Sequence, residues 1–157
     1  MKFNIFIIII IIIVIYICCY FIFPPDIYIL QTNISDFNFS SLISRQPIVL
    51  IDFLQEPEKL IQLWFNYNFK NFINQEDDNW NHNKNKYLFI NASKDTEIII
   101  YKATFFSYIP NENDKIIAIK LQKSQSLIIP YRWNYYLNPN DVNIWGINDL
   151  ITSSLFF

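Results

Sequence analysis

The sequence predicts an α+β fold in which one apolar helix that spans a membrane precedes a mostly antiparallel β domain. Three observations support this class: a long apolar run at the N-terminus, one amphipathic helical stripe in the middle of the chain, and several short β-branched runs after it. The 157 residues suffice for one domain beyond the apolar run. We therefore divide the chain into a transmembrane anchor at residues 1–25, a juxtamembrane connector at 26–44 and a globular domain at 45–157.

Residues 3–23 are predicted to form the transmembrane helix and to contact the lipid bilayer. From residue 5 to residue 23 there is no charged side chain. About 20 residues at 1.5 Å each match the roughly 30 Å hydrocarbon core of a bilayer. Backbone polar groups in lipid must be satisfied within the segment, which favours a helix. Pro24 and Pro25 are predicted to end it, because neither donates a backbone hydrogen bond.

The charges that flank the apolar run predict its orientation. Lys2 precedes the run, whereas Asp26 follows it and the first basic residue beyond is Arg45. The positive-inside rule then places the N-terminus in the cytoplasm and the domain on the lumenal or extracellular side, or on a virion surface. A cleaved signal peptide is the alternative. Its apolar core should be only about 7–15 residues and should end in small residues, so the longer run favours an uncleaved signal anchor.

The composition argues against a nucleic-acid partner and against a disulfide framework. Residues with A/T-rich codons dominate, as in the AT-rich genomes of large DNA viruses and some protists. The net charge is −2 and the lysines are scattered, so no nucleic-acid partner is expected. The two cysteines, Cys18 and Cys19, both lie in the apolar run, so there is no disulfide framework. These cysteines are interpreted either as ordinary apolar residues of the membrane span or as palmitoylation sites.

Residues 45–54 form an apolar run with the pattern of a buried strand, and a helix is predicted from there to about Gln75. Pro57 suits the first helical turn, where Glu56 and Glu58 favour the positive end of the dipole. The apolar stripe of this helix comprises Leu60, Ile61, Trp64, Phe65, Phe69, Phe72 and Ile73. A polar loop is predicted at 76–86. Further strands are predicted at 87–91, 97–105, 115–122, 126–130, 131–137 and 143–147, with a short helix or turn after them.

The residues available for catalysis are few. His82 is the only histidine and Gly146 the only glycine, which excludes histidine-rich metal sites and glycine-rich phosphate loops. Asp77 and Asp78 could join His82 in a surface metal site, but a solvated loop is the simpler interpretation. No pair of acids stands out, although Asp52 lies in an apolar strand. We therefore nominate no catalytic or metal-binding residue and expect no cofactor.

A cluster of aromatic residues is the candidate interaction surface: Tyr131, Arg132, Trp133, Tyr135 and Tyr136. On a strand, Tyr131, Trp133 and Tyr135 share one face, and Arg132 and Tyr136 share the other. Such a face can stack against a sugar or contact a partner protein. The alternative interpretation makes one face core and the other a ladder at the edge of a sheet.

Two segments resemble the cupin-like, JmjC-type β-barrel family. Residues 45–54, Arg-Gln-Pro-Ile-Val-Leu-Ile-Asp-Phe-Leu, resemble its entry strand, and residues 121–135 resemble its late hairpin. Pro130 and Trp133 stand where that family has Pro and Trp, and Tyr135 stands where it has a metal-binding His. Ser124-Gln125 replaces its Gly-Asp, and its His-x-Asp/Glu ligand pair has no counterpart. The resemblance implies a barrel that has lost its metal and the dioxygenase activity of the family.

These observations lead to a functional expectation with one alternative. The chain is expected to be a single-pass membrane-anchored protein that presents a small non-catalytic interaction or structural domain to a protein or glycan partner. The alternative is a membrane-tethered enzyme on a cupin-like scaffold. It would use carboxylates such as Asp52, together with the aromatic strand, on a carbohydrate substrate.

Overall fold

The computed structural model describes residues 2–21, 26–75, 79–102, 109–112 and 114–155. The strands within these ranges are β1 (Leu30–Thr32), β2 (Ile48–Leu50), β3 (Phe69–Phe72), β4 (Asn81–His82), β5 (Tyr87–Ala92), β6 (Thr96–Lys102), β7 (Ile116–Leu121), β8 (Ser126–Pro130), β9 (Trp133–Tyr136) and β10 (Val142–Asn148). The helices are α1 (Lys2–Phe21), α2 (Pro57–Trp64) and α3 (Leu150–Leu155), with 3₁₀ turns at Phe39–Ser44 and Pro139–Asp141.

The strands form two sheets. The larger sheet has six strands in the order β1-β2-β8-β5-β10-β3, and only its β1–β2 pair is parallel. The smaller sheet has four antiparallel strands in the order β4-β9-β6-β7. Sequential neighbours such as β5 and β6 lie in different sheets, which is typical of a β-sandwich.

The main hydrophobic core lies between the two sheets. Alternate side chains of the larger sheet, such as Leu88 and Ile90 of β5, meet Ile98 and Ile100 of β6 in the smaller sheet. The other alternate residues of the larger sheet, such as Phe89, contact a second core on its outer face, where α2 and the first 3₁₀ turn cover it. Because both of its faces are covered, β8 is buried along its whole length.

Several predictions about the chain as a whole were wrong. No helix among the described residues is long and apolar enough to cross a membrane. This finding contradicts the predicted transmembrane signal anchor at residues 3–23, and with it the predicted single-pass, lumenal or extracellular localisation. Pro24 and Pro25 lie outside the described residues.

The predicted fold class was also wrong in its helical part. The described chain is mostly β, and the prominent amphipathic helix predicted to reach Gln75 ends at Trp64. The helix stops at Asn66-Tyr67-Asn68, residues of modest helix propensity, where the Asn68 N–H donates to the carbonyl oxygen of Phe65 at 2.9 Å. The chain then pairs as β3 with β10.

The segment expected to be a connector contributes to the sandwich. β1 lies next to β2 at the edge of the larger sheet, and Leu42 of the 3₁₀ turn belongs to the outer core. The buried Gln46 side chain holds the start of this segment. Its amide nitrogen donates to the Asp26 carbonyl oxygen at 2.7 Å, and its oxygen accepts the Tyr28 N–H at 3.2 Å.

Candidate functional site

The aromatic segment predicted as an interaction surface is divided between the core and the outside of the smaller sheet. Trp133, which is 1% exposed, and Tyr135 point into the core between the sheets. Trp133 Nε1–H donates to the Arg45 carbonyl oxygen at 3.3 Å, and burial raises the pKa of Tyr135 to about 12. Tyr131 and Arg132 are half-buried in the β8–β9 connection, where Arg132 has a positive φ of 68°.

The opposite face of β9 belongs to an aromatic and polar group on the outside of the smaller sheet. Tyr136 lies beside Trp80, with ring centroids 5.6 Å apart, and Trp80 packs edge-on against Tyr101 at 5.0 Å. Asn134 is opposite both Tyr101 and His82 in the sheet register. Trp80 could not be identified from the sequence, because only the pairing of β4 with β9 brings it to this face.

The only histidine of the chain is held by a buried amide. His82 Nδ1–H donates to Asn134 Oδ1 at 2.6 Å, and Asn134 also hydrogen-bonds to Tyr101. Burial lowers the pKa of His82 despite the hydrogen bond to Asn134, and the positive charges of Arg132 and Lys84 lower it further. The imidazole is therefore neutral around neutral pH and held in one orientation, as a structural side chain would be.

Asp52, the acid singled out from the sequence, has a structural role. Its side chain is half-buried and accepts a hydrogen bond from the backbone N–H of Ile34, which fixes the turn after β1. Within the part of the chain that the structure describes, no three acidic, histidine or cysteine side chains are grouped as a metal site would require. Asp77 and Asp78, proposed as partners of His82 in such a site, lie outside the described residues.

Apolar side chains of the described residues fill the space between the two sheets. The residue aligned with a metal-binding histidine of the cupin-like family, Tyr135, packs there with Trp133. The other buried members of this cluster are Val49, Leu88, Ile90, Ala92, Ile98, Ile100, Ile119, Leu121, Leu127, Ile129, Leu137, Val142 and Ile144. The described side chains of this cluster are each at most 8% exposed, so they form a close-packed apolar interior.

Large apolar side chains are exposed at a groove beside α2. Residues 53–56 line it together with Lys59, Leu60 and Leu63 of α2, and this shallow, open groove has a volume of about 500 Å³. Phe53 is 65% exposed and Leu63 is 76% exposed. The groove also contains the exposed ion pair between Lys59 and Glu56, with an N–O distance of 2.7 Å. The groove can take up apolar side chains of another molecule.

Comparison with known proteins gives only a weak likeness. No protein-family profile and no curated protein matches the sequence. Among solved structures, the chain is similar to RmlC from Streptococcus suis, solved in complex with dTDP-D-xylose, with a TM-score of 0.33 and 12% identity. The similarity covers 72% of this chain and 54% of RmlC, so the chain spans about half of that protein. RmlC is cupin-like, but at this TM-score the likeness carries no argument about the function or the source of the chain.

Proposed function

We propose that this chain is a non-catalytic interaction domain that binds another protein through the groove between residues 53–56 and α2. The observation that carries the proposal is the exposure of Phe53 and Leu63, which line the same groove. Burying an exposed side chain of this size contributes about 1.5–3 kcal/mol. Contiguous exposed apolar groups with a polar rim are typical of protein-binding sites.

The chemistry of the groove indicates what the partner presents. The lining is apolar at Leu54, Leu60 and Leu63, whereas Gln55 and the ion pair of Glu56 with Lys59 supply polar groups. A partner segment with one or two large apolar side chains, flanked by polar backbone or charged groups, matches this pattern. The apolar packing of the described side chains between the sheets supports a binding role over catalysis.

A photo-crosslinking experiment tests the proposal. The full-length chain carries benzoylphenylalanine in place of Leu63 and is irradiated in its native cells, and the adducts are identified by mass spectrometry. We expect one protein other than this chain to be captured. The adduct should be lost in a Phe53→Ser background, because that change removes the exposed aromatic side chain that lines the groove together with Leu63.

Ile43→Ser is the matched control, since Ile43 is 80% exposed but does not line the groove. The adduct should persist in that background. Capture that is equal in both backgrounds, or no adduct at all, would contradict the proposal. Capture of a second copy of this chain would also contradict it, because it would assign the groove to self-association. Denaturant titration of each variant checks that it remains folded.

A further inference from the structure

A small cavity lies beside the C-terminal end of β3. It is lined by residues 72–75, Ser93, residues 139–140 of the second 3₁₀ turn and residues 142–144 of β10. Its volume is about 270 Å³, which is the share of about nine water molecules at about 30 Å³ each. This space matches one small ring, and none of its lining residues belongs to the groove beside α2.

Backbone hydrogen bonds hold the walls of this cavity in place. The Ile73 N–H donates to the Ile144 carbonyl oxygen at 2.9 Å, which keeps the chain beyond β3 alongside β10. The Ser93 N–H donates to the Asp141 carbonyl oxygen at 2.8 Å, which joins the residue after β5 to the 3₁₀ turn. A site whose backbone is already ordered loses less entropy when a ligand binds.

The polar side chains of the cavity offer both donors and acceptors. An amide side chain supplies both, and a hydroxyl group does so with a single oxygen atom. Four such side chains line the cavity and make no hydrogen bond of their own within the part of the chain that the structure describes: Asn74, Ser93, Asn140 and Asn143. Their hydrogen-bonding groups are therefore available to a ligand.

The described residues that line the cavity carry no charged side chain. Lys94 and Asp141, each next to a lining residue in the sequence, form an ion pair with each other, with an N–O distance of 2.9 Å. Glu76, which follows the lining residue Gln75, lies outside the described residues. A phosphate, carboxylate or ammonium group would leave water there without a counter-charge, which is unfavourable. The lining therefore favours an uncharged ligand.

Phe72 adds an exposed aromatic ring to this polar lining. It is 55% exposed and lines the cavity. Its ring packs edge-on against Trp145, with ring centroids 5.6 Å apart, and this contact holds the ring in place. The face of an aromatic ring is an apolar surface against which the C–H groups of a ligand pack.

We propose that this cavity binds one ring of a neutral saccharide. The hydroxyl groups around the edge of such a ring both donate and accept hydrogen bonds, as do the amide and hydroxyl groups of the lining. The C–H groups on the face of the ring pack against Phe72. The site is separate from the groove beside α2, so it does not depend on the proposed protein partner.

Saturation-transfer difference NMR on the full-length chain tests this proposal. The probes are the methyl glycosides of glucose, galactose, mannose and N-acetylglucosamine. One or more of these neutral sugars should bind, and the uronic acid and the 6-phosphate of the same sugar should bind about tenfold more weakly or less. Acetylglycine methylamide, which mimics a peptide, should not bind more tightly than the sugar. Absence of binding by every glycoside, equal binding of a charged counterpart, or tighter binding of the peptide mimic would overturn the proposal.

Variants of the lining test where the sugar binds. Phe72→Ala and Asn74→Ala should each raise the dissociation constant of the sugar about two- to tenfold, because one removes the stacking ring and the other an amide. Phe69→Ala and Asn66→Ala are the matched controls and should leave it unchanged, since Phe69 is 52% exposed on the same strand, Asn66 is exposed, and neither lines the cavity. Leu63→Ser, which changes the groove beside α2, should also leave it unchanged. Equal losses in a variant and its control, or no loss in either lining variant, would reject the site. Urea denaturation of each variant checks that it remains folded.

Discussion

Asn85 occupies the space beside Gly146, the only glycine of the chain. The Oδ1 atom of Asn85 lies 2.5 Å from the position that a Cβ on Gly146 would take, and its Cγ lies 2.7 Å away. The amide cannot easily move, because Asn148 Nδ2 donates to Oδ1 at 2.8 Å and the Asn85 N–H donates to Asn83 Oδ1 at 2.9 Å. Gly146 thus allows a buried amide network to pack directly on β10.

We expect Gly146→Ala to lower the free energy of unfolding by about 1–3 kcal/mol, because the added methyl group overpacks this network. Equilibrium denaturation in urea measures the effect. The matched control is the same change in an Asn85→Ala background, where the colliding atoms are gone and the cost should be smaller. An equal cost in both backgrounds would show that contact with Asn85 is not the cause.

The carboxylate of Asp149 joins α1, α3 and the bend before β5. Lys86 Nζ donates to Oδ2 at 2.7 Å, the Thr152 N–H donates to Oδ1 at 2.8 Å at the start of α3, and the Tyr16 hydroxyl of α1 also donates to Oδ2. Burial alone would raise the pKa of Asp149, but these hydrogen bonds outweigh it and hold the pKa well below its ordinary range. The hydrogen bond to Asp149 likewise raises the pKa of Lys86 against the effect of burial.

We expect Asp149→Asn to lower the free energy of unfolding by about 1–3 kcal/mol at neutral pH, since asparagine can still cap α3 but leaves Lys86 without its ion pair. The depressed pKa of Asp149 predicts stability that is fully present above the unfolded-state pKa of about 3.9 and is lost as the pH falls through the folded-state value. In urea denaturation across pH 2–7, the free energy of unfolding of the variant should therefore fall less steeply on acidification than that of the wild type. Parallel curves for the two proteins would contradict this assignment.

Strand positions were predictable where the apolar pattern is local. The run Ser126–Pro130 is a strand with the predicted bounds, and the strands predicted at 87–91 and 115–122 are observed as Tyr87–Ala92 and Ile116–Leu121. Each consists largely of β-branched or aromatic residues between polar turns. The local sequence alone therefore favours a strand at these positions.

The end of α2 and the role of Asn83 were not predictable, because both depend on distant pairing. Phe69 and Phe72 fit the apolar spacing of a helix, but they belong to β3, which pairs with β10. Asn83 reads as part of a polar loop, yet it is 1% exposed and its amide donates to the carbonyl oxygens of Ile129 and Pro130 at 3.0 and 2.8 Å. Helix propensity and apolar periodicity depend on residues that are close in sequence. They therefore do not indicate pairing partners that are distant in the chain.

The burial of His82 predicts how it titrates. Its folded-state pKa lies below the ordinary value, mainly because burial disfavours the charged ring. Since the unfolded state binds the proton more tightly, stability should be lost as the pH falls from about 6.5 through the folded-state pKa. The single histidine gives one set of imidazole signals in NMR, and their midpoint should lie below 6.5. A midpoint at or above 6.5 would contradict the prediction, and His82→Gln should flatten the stability profile in this range.

Trp133 and Tyr136, neighbours on β9, should respond very differently to truncation. Trp133 fills the core between the sheets, whereas Tyr136 is half-buried on the outer face beside Trp80. Trp133→Ala should lower the free energy of unfolding by about 3–5 kcal/mol, because it leaves a cavity that the surrounding strands cannot close. Tyr136→Ala removes the ring contact with Trp80, worth about 0.5–1.5 kcal/mol, and a side chain that is only half-buried, so its cost should be well below that of Trp133→Ala. Equal costs in urea denaturation would mean that Trp133 does not anchor the interior.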